Sequence, residues 1–223
     1  KIEFKKVFFD GFSNCQVDGN YLTGGVNFYK TKINADTISV KNNKSGDDLI
    51  NIIKSEFQIN NFYLENSLYD ALDIDYSKGN IVNLNCFDCG KNIGGDGVDL
   101  SFSDVFFENM LITNSSDKGL SIGENTNLNI RDLRIEDSNV CVANKDGSYT
   151  KILNAVFERC KIGLAAFNKK SYYDSSRIQI AYYEFIDNGQ DILRDKKNKI
   201  VLGSWEHNDP ATIDQNILNK IYE

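Results

Sequence analysis

Three aspartates are the first candidates for chemistry. Asp73 and Asp75 alternate with aliphatics in Ala71-Leu72-Asp73-Ile74-Asp75, and Asp99 holds the same place in Gly97-Val98-Asp99-Leu100-Ser101. Carboxylates at alternate positions share one face of a strand, and grouped carboxylates are what Ca²⁺ takes as ligands. Further along stand Lys145 and Glu124, with Asp146 next to Lys145 and Lys169 and Lys170 about one repeat beyond it. An amine beside a carboxylate can serve as base and partner in proton abstraction. Cys86 and Cys89 form C-x-x-C, the spacing of a redox pair or half a metal site, but no second pair exists and His207 is the only histidine. The five cysteines therefore read as small buried residues rather than a disulfide scaffold. A single histidine also excludes most Ser-His-Asp, Cys-His and His-rich zinc arrangements. Gly94-Gly95-Asp96-Gly97 lacks a following Lys-Ser/Thr, so it reads as a turn and not a phosphate loop.

The elements that position these residues repeat. The two segments above are followed by Gly119-Leu120-Ser121-Ile122-Gly123, Cys141-Val142-Ala143-Asn144-Lys145 and Gly163-Leu164-Ala165-Ala166-Phe167, at spacings of 26, 22, 22 and 22. A second series interleaves with apolar residues at offsets 0, 2, 5 and 7. It runs Phe57, Ile59, Phe62, Leu64, then Val82, Leu84, Phe87, Cys89, then Val105, Phe107, Met110, Ile112. Leu128, Ile130, Leu133, Ile135 continue it, then Thr150, Ile152, Ala155, Phe157, then Ile178, Ile180, Tyr183, Phe185. No unit is long enough for a crossover helix. Short strands with a common period of ~22 residues are coils of a solenoid, so the expected fold is all-β, a right-handed parallel β-helix. Offset 4 of the second series, Asn61, Asn109, Asp132 and Asn154, interrupted by Cys86 and Tyr182, reads as a turn column of stacked amides.

Stacking the coils places Asp73 on Asp99 at ~4.8 Å, with Asp75 alongside. Ser121, Gly123, Ala143 and Ala165 then form a shallow floor bordered by Lys145, Lys169 and Lys170. The expected domain is one unit, residues 1–223, with regular coils over about 24–205 and a less regular stretch before residue 45, where Val26, Phe28 and Ile33 still match offsets 0, 2 and 7. Asp209 and Pro210 mark a helix start, and Ile213, Ile217 and Ile221 share a face, so a helix over about 209–222 is expected to cover the last coil. Trp205 is expected to pack beneath it.

The net charge of −7 argues against nucleic acid or an anionic membrane as partner, and no apolar run is long enough to span a bilayer. The chain begins at Lys1 without a leader-like segment, which reads as a mature fragment or excised domain.

On these repeats the chain resembles the pectate-lyase-like superfamily of right-handed parallel β-helix proteins over about residues 24–205. Its D-A-L-D-I-D, G-D-G-V-D-L, D-K-G-L-S-I-G-E and N-K-D-G-S stretches, followed by Phe167-Asn168-Lys169-Lys170, are also similar to β-helical modules of CotH-like surface proteins. The first resemblance implies a polysaccharide lyase or epimerase acting on an acidic polymer. Lys145 and Glu124 would then be base and partner, Lys169, Lys170 and Asp146 would bind substrate, and Asp73, Asp75 and Asp99 would hold Ca²⁺. The four-carboxylate and Gly-His-Gly pattern of the pectin hydrolases is missing. The second resemblance implies a non-catalytic module attached to a larger surface protein. Both imply a secreted or cell-surface location. The opposite expectation for the aspartates is a solvated face that discourages edge pairing.

Overall fold

The computed structural model describes residues 1–13, 16–17, 20–91, 94–203 and 212–222. Two parallel sheets carry the fold, about 8 turns of a solenoid with coils of about 23 residues. The first sheet comprises β1 (Ile2–Asp10), β5 (Lys32–Lys41), β7 (Glu56–Glu65), β9 (Lys78–Phe87), β11 (Asp104–Thr113), β13 (Asn127–Glu136), β15 (Tyr149–Glu158), β17 (Arg177–Ile186) and β19 (Lys199–Leu202), in that order. The second comprises β4 (Gly24–Tyr29), β6 (Asp48–Ile53), β8 (Asp70–Asp75), β10 (Val98–Ser101), β12 (Lys118–Gly123), β14 (Val140–Lys145), β16 (Ile162–Phe167), β18 (Gln190–Arg194) and β20 (Thr212–Ile213). β2 (Gln16–Val17) pairs antiparallel with β3 (Asn20–Tyr21), and α1 (Ile217–Tyr222) is the one helix among the described residues.

Both corners have a repeated chemistry. Leaving the second sheet, Lys30, Lys54, Tyr76, Phe102, Glu124 and Asp146 take left-handed backbone with φ between 45° and 52°. Ser55, Ser77 and Ser103 follow, buried, and each hydroxyl accepts the backbone N–H of the coil before it: Thr31 N to Ser55 Oγ at 3.0 Å, Ser55 N to Ser77 Oγ at 2.9 Å and Ser77 N to Ser103 Oγ at 3.1 Å. Such ladders satisfy amides that a tight corner would otherwise strand. Leaving the first sheet, Asn42, Asn66, Asp88, Asn114, Asp137, Arg159 and Asp187 make the same left-handed step.

The core is a stack of aliphatic columns. On the second sheet Ile50, Leu72, Val98, Leu120, Val142 and Leu164 lie in register and buried. On the first sheet Phe62 stands on Leu84, and Leu84 on Met110. The second-series reading of one coil is therefore out by three residues. Gly79, Ile81, Leu84 and Cys86 take the places assigned to Val82, Leu84, Phe87 and Cys89. Gly79 hides the match because it has no side chain: a Cβ there would lie 2.2 Å from the Phe57 carbonyl and 2.5 Å from its ring, so Phe57 fills the space of both coils. The corrected register puts Asn83 between Asn61 and Asn109, and its amide donates to Asn61 Oδ1 at 3.1 Å. This asparagine column lies mid-strand, not in a turn.

Other expectations change as well. The coils begin at β1, paired with β5, and Val26 and Phe28 belong to the second sheet whereas Ile33 belongs to the first. Four cysteines are oxidised, Cys86 to Cys89 and Cys141 to Cys160. Cys89 and Cys160 each follow a left-handed corner residue, the position serine holds at Ser67, Ser115 and Ser138. There each sulfur meets an inward cysteine, so the free-cysteine reading is overturned. The helix is shorter than expected and lies elsewhere: α1 packs on the outer flank of the second sheet, where Ile217 and Ile221 bury against Val140, Ala143, Ile162, Ala165, Phe167 and Leu193. Ile213 is in β20 and exposed, while Trp205, His207, Asp209 and Pro210 lie outside the described residues. Burial of those isoleucines contributes ~1.5–3 kcal/mol each.

Candidate functional site

Three columns face out of the second sheet, two by strand alternation and one at the strand starts. The middle one reads Asn51, Asp73, Asp99, Ser121, Ala143, Ala165, with each residue on the next, as the repeat spacing predicts. Asp75 and Ser101 stand beside Asp73 and Asp99, in register with one another. A third column was not anticipated. Asp48 pairs with Asp70 at the strand starts, and Asp96 and Lys118 follow them on the next coils. Its signal is in the sequence as a D-x-x-[DN] unit: Asp48 to Asn51, Asp70 to Asp73 and Asp96 to Asp99, closed by Lys118 to Ser121. The glycine-rich reading of residues 94–97 absorbed Asp96 and concealed it.

The carboxylates crowd together. One oxygen from each of Asp70, Asp96 and Asp99 lies within 4.8 Å of the others. The closest set thus contains one of the expected three aspartates; Asp73 and Asp75 sit on the adjoining rows. Asp70 Oδ1 accepts from Asp96 N at 2.7 Å and Asp99 Oδ1 from Leu100 N at 3.0 Å, which fixes both side chains. Asp96, 5% exposed, accepts from Lys118 N at 2.9 Å and from its ammonium at 3.3 Å, and Asp117 bonds the same ammonium. Asn51, buried, donates its amide to both Asp48 and Asp73 at 3.2 Å, while its own carbonyl oxygen is buried without a partner.

Burial and repulsion disfavour charge here. Burial, then Asp48, Asp75 and Asp99, push the Asp73 carboxyl up to about 10. Asp48 rises to about 6 mainly through burial, as does Asp75, with Asp99 and Glu124 adding to the latter. Burial and Asp96 raise Asp70 strongly. Burial works to lower Lys118, but Asp96 and Asp117 outweigh it and the ammonium is held more firmly than usual. Lys145 behaves alike: Asp99 and Asp96 overcome burial and raise it. Its ammonium donates to Ser121 Oγ at 2.6 Å. Glu124 bonds Lys170 and Ser101 instead, so base and partner are engaged separately. A general base must surrender its proton near neutral pH, and Lys145 is held in the opposite state. Asp146 is buried at the neighbouring corner, accepting Lys170 N at 2.8 Å, and Lys169 lies over the Tyr222 ring at 5.3 Å.

Ca²⁺ asks for several hard oxygen donors on one side. Converging oxygens of Asp70, Asp96 and Asp99, with Asp73 and the orphaned Asn51 carbonyl on the adjoining row, fit that requirement. A groove of about 480 Å³ lies elsewhere, along the outside of the first sheet between the asparagine column and Asn85, Leu111, Arg134 and Val156. It gathers no comparable set of carboxylates. No family model, curated protein or solved structure matches this chain.

Proposed function

We propose that this solenoid is a non-catalytic binding module of a secreted or cell-surface protein, and that the acidic face of its second sheet holds Ca²⁺ and through it an acidic polysaccharide. The observation that carries this reading is the stack of Asp48, Asp70, Asp73, Asp96 and Asp99 on three successive coils, in which Lys118 pairs with Asp96. Like charges in register oppose folding, and a divalent cation removes the penalty while leaving coordination sites for a uronate. Lys118 and Lys145 close the end of the stack, buried and engaged with Asp96 and Asp117 and with Ser121. A binding role is favoured over the lyase or epimerase expectation because Lys145 is a stabilised ammonium. Two disulfides suit an oxidising compartment. The β-helix resemblance supplies the substrate class, and the CotH-like one suggests a module of something larger.

The test is titration calorimetry with polygalacturonate and alginate, in Ca²⁺ and in chelator. Binding is expected only with Ca²⁺ and only while Asp99 is intact. Equal binding by Asp99→Asn, or binding in chelator, would remove the acidic face from the account.

A further inference from the structure

The outside of the first sheet carries chemistry of a different kind. Its asparagine column stands in register as Asn61, Asn83, Asn109, Asp132 and Asn154, and Tyr182 takes the next place. The amides are chained: Asn83 donates to Asn61 Oδ1 at 3.1 Å, Asn109 to Asn83 Oδ1 at 3.0 Å and Asn154 to Asp132 Oδ1 at 2.6 Å. An asparagine side chain has two donor hydrogens and two acceptor positions. The ladder therefore fixes these amides and leaves at least one acceptor position on each asparagine uncommitted.

This column is one wall of the 480 Å³ groove, which crosses the strands from β9 to β17. Leu111 and Val156, both half-buried, belong to the opposite wall, and the inward-pointing Leu84, Met110, Leu133 and Ala155 make the floor. Tyr182, 69% exposed, leaves a large ring in solvent at the end of the column. Arg134, the cation of this lining, already bridges Glu136 and Glu158, and Asp132 holds the Asn154 amide with Arg131 at 3.7 Å. An acidic polymer would meet acceptor oxygens here and no uncommitted cation. A chain rich in hydroxyl hydrogens meets complementary partners.

We propose that the groove binds a neutral β-linked glycan, cellulose-like or chitin-like, lying along the solenoid axis. The spacing decides against a peptide: coils repeat at ~4.8 Å, whereas an extended peptide advances only ~3.3 Å per residue and falls out of step with the wall. A β-linked pyranose chain advances by close to one coil spacing per sugar, so successive rings meet successive coils. Hydroxyls donate to the amide oxygens, C–H faces rest on Leu111 and Val156, and the ring at the end lies against Tyr182. Side chains fixed beforehand by the ladder lose little freedom on binding. The site is separate from the acidic face and rests on neither Ca²⁺ nor the polyuronate reading.

Titration calorimetry in chelator with cellohexaose and chitohexaose tests it. Either hexamer should bind with a Kd below about 1 mM, and the tighter of the two identifies the source. The matching disaccharide should bind far more weakly, since it spans few of the coils. Tyr182→Ala should weaken the hexamer at least about tenfold, as loss of an aromatic anchor does, and leave the melting temperature unchanged because the ring is exposed. Asn109→Ala should weaken it too; if that variant fails to fold, Tyr182→Ala decides alone. Asp99→Asn, on the other sheet, should bind the hexamer as wild type does. No binding of either hexamer at millimolar concentration, or undiminished binding by Tyr182→Ala, would overturn the site. Hexagalacturonate bound equally well in chelator would overturn its neutral character. Failure of Ca²⁺-dependent polyuronate binding would leave all of these outcomes unchanged.

Discussion

The first outward column of the first sheet runs Lys32, Glu56, Lys78, Asp104, and the matching column of the second runs Asp48, Asp70, Asp96, Lys118. In the first-sheet column each charge stands on its opposite, with Glu56 taking Lys32 at 2.9 Å and Lys78 at 3.4 Å, and where Glu136 stands on Glu158 Arg134 bridges the two. Both sheets share coils, core and strand spacing, so nothing in the fold forces like charges together on one of them. A face whose only duty was solvation could have been neutralised in the same way. The acidic face is also the less exposed of the two, which makes charge there more costly. The proposed Ca²⁺ role rests on this contrast.

The contrast can be broken most severely at Lys118. Lys118→Met leaves Asp96 and Asp117 buried without their cation and should cost ~3–5 kcal/mol by chemical denaturation at neutral pH. Arg134→Ala, on the exposed ion pairs of the first sheet, should cost ~0–1 kcal/mol. Equal losses would mean that the two faces are energetically alike.

The next effect is on pH. An aspartate ordinarily titrates near ~3.9, and Asp73 does so at about 10 in the fold. Between those values the folded state holds a proton that the unfolded chain has lost, so this group's contribution to stability falls as pH rises. In chelator the melting temperature should therefore decline from pH 5 to pH 9, and Asp73→Asn should flatten that decline. A flat wild-type profile would show that the carboxyl is not held protonated.

Smaller still are single-charge changes. Asp99→Asn should stabilise the metal-free protein by up to ~1 kcal/mol, since one like charge leaves the stack. Glu56→Gln on the first sheet should go the other way, with a slight loss that salt erases. Opposite signs from two carboxylate-to-amide changes would sharpen the comparison at its simplest.

The Asp73–Asp99 pair was legible because alternation and one repeat spacing fix it, whereas Asp70 and Asp96 lie three residues before those aspartates, a step that alternation would send to the other face. The first sheet was harder: Gly79 leaves an inward position blank, because Phe57 on the neighbouring coil fills it. Cys89 and Cys160 looked like core residues because the corner that brings each to a second sulfur is tertiary. Placement of α1 was not legible at all. An amphipathic stripe shows that a helix needs an apolar surface but not which one, and here the open flank of β14 and β16 lay nearer to hand than the last coil.

The central claim is that the stacked carboxylates await a cation, and thermal melting with and without millimolar Ca²⁺, after stripping with chelator, tests it most directly. Binding to the folded state alone stabilises by about 2.7 kcal/mol at a hundredfold excess over Kd. The account predicts a rise of several degrees for the wild type, growing as pH climbs from 6 to 9 and abolished in Asp99→Asn. A melting curve that Ca²⁺ leaves in place, or an equal rise in Asp99→Asn, would contradict it and return the second sheet's outer face to ordinary solvated surface.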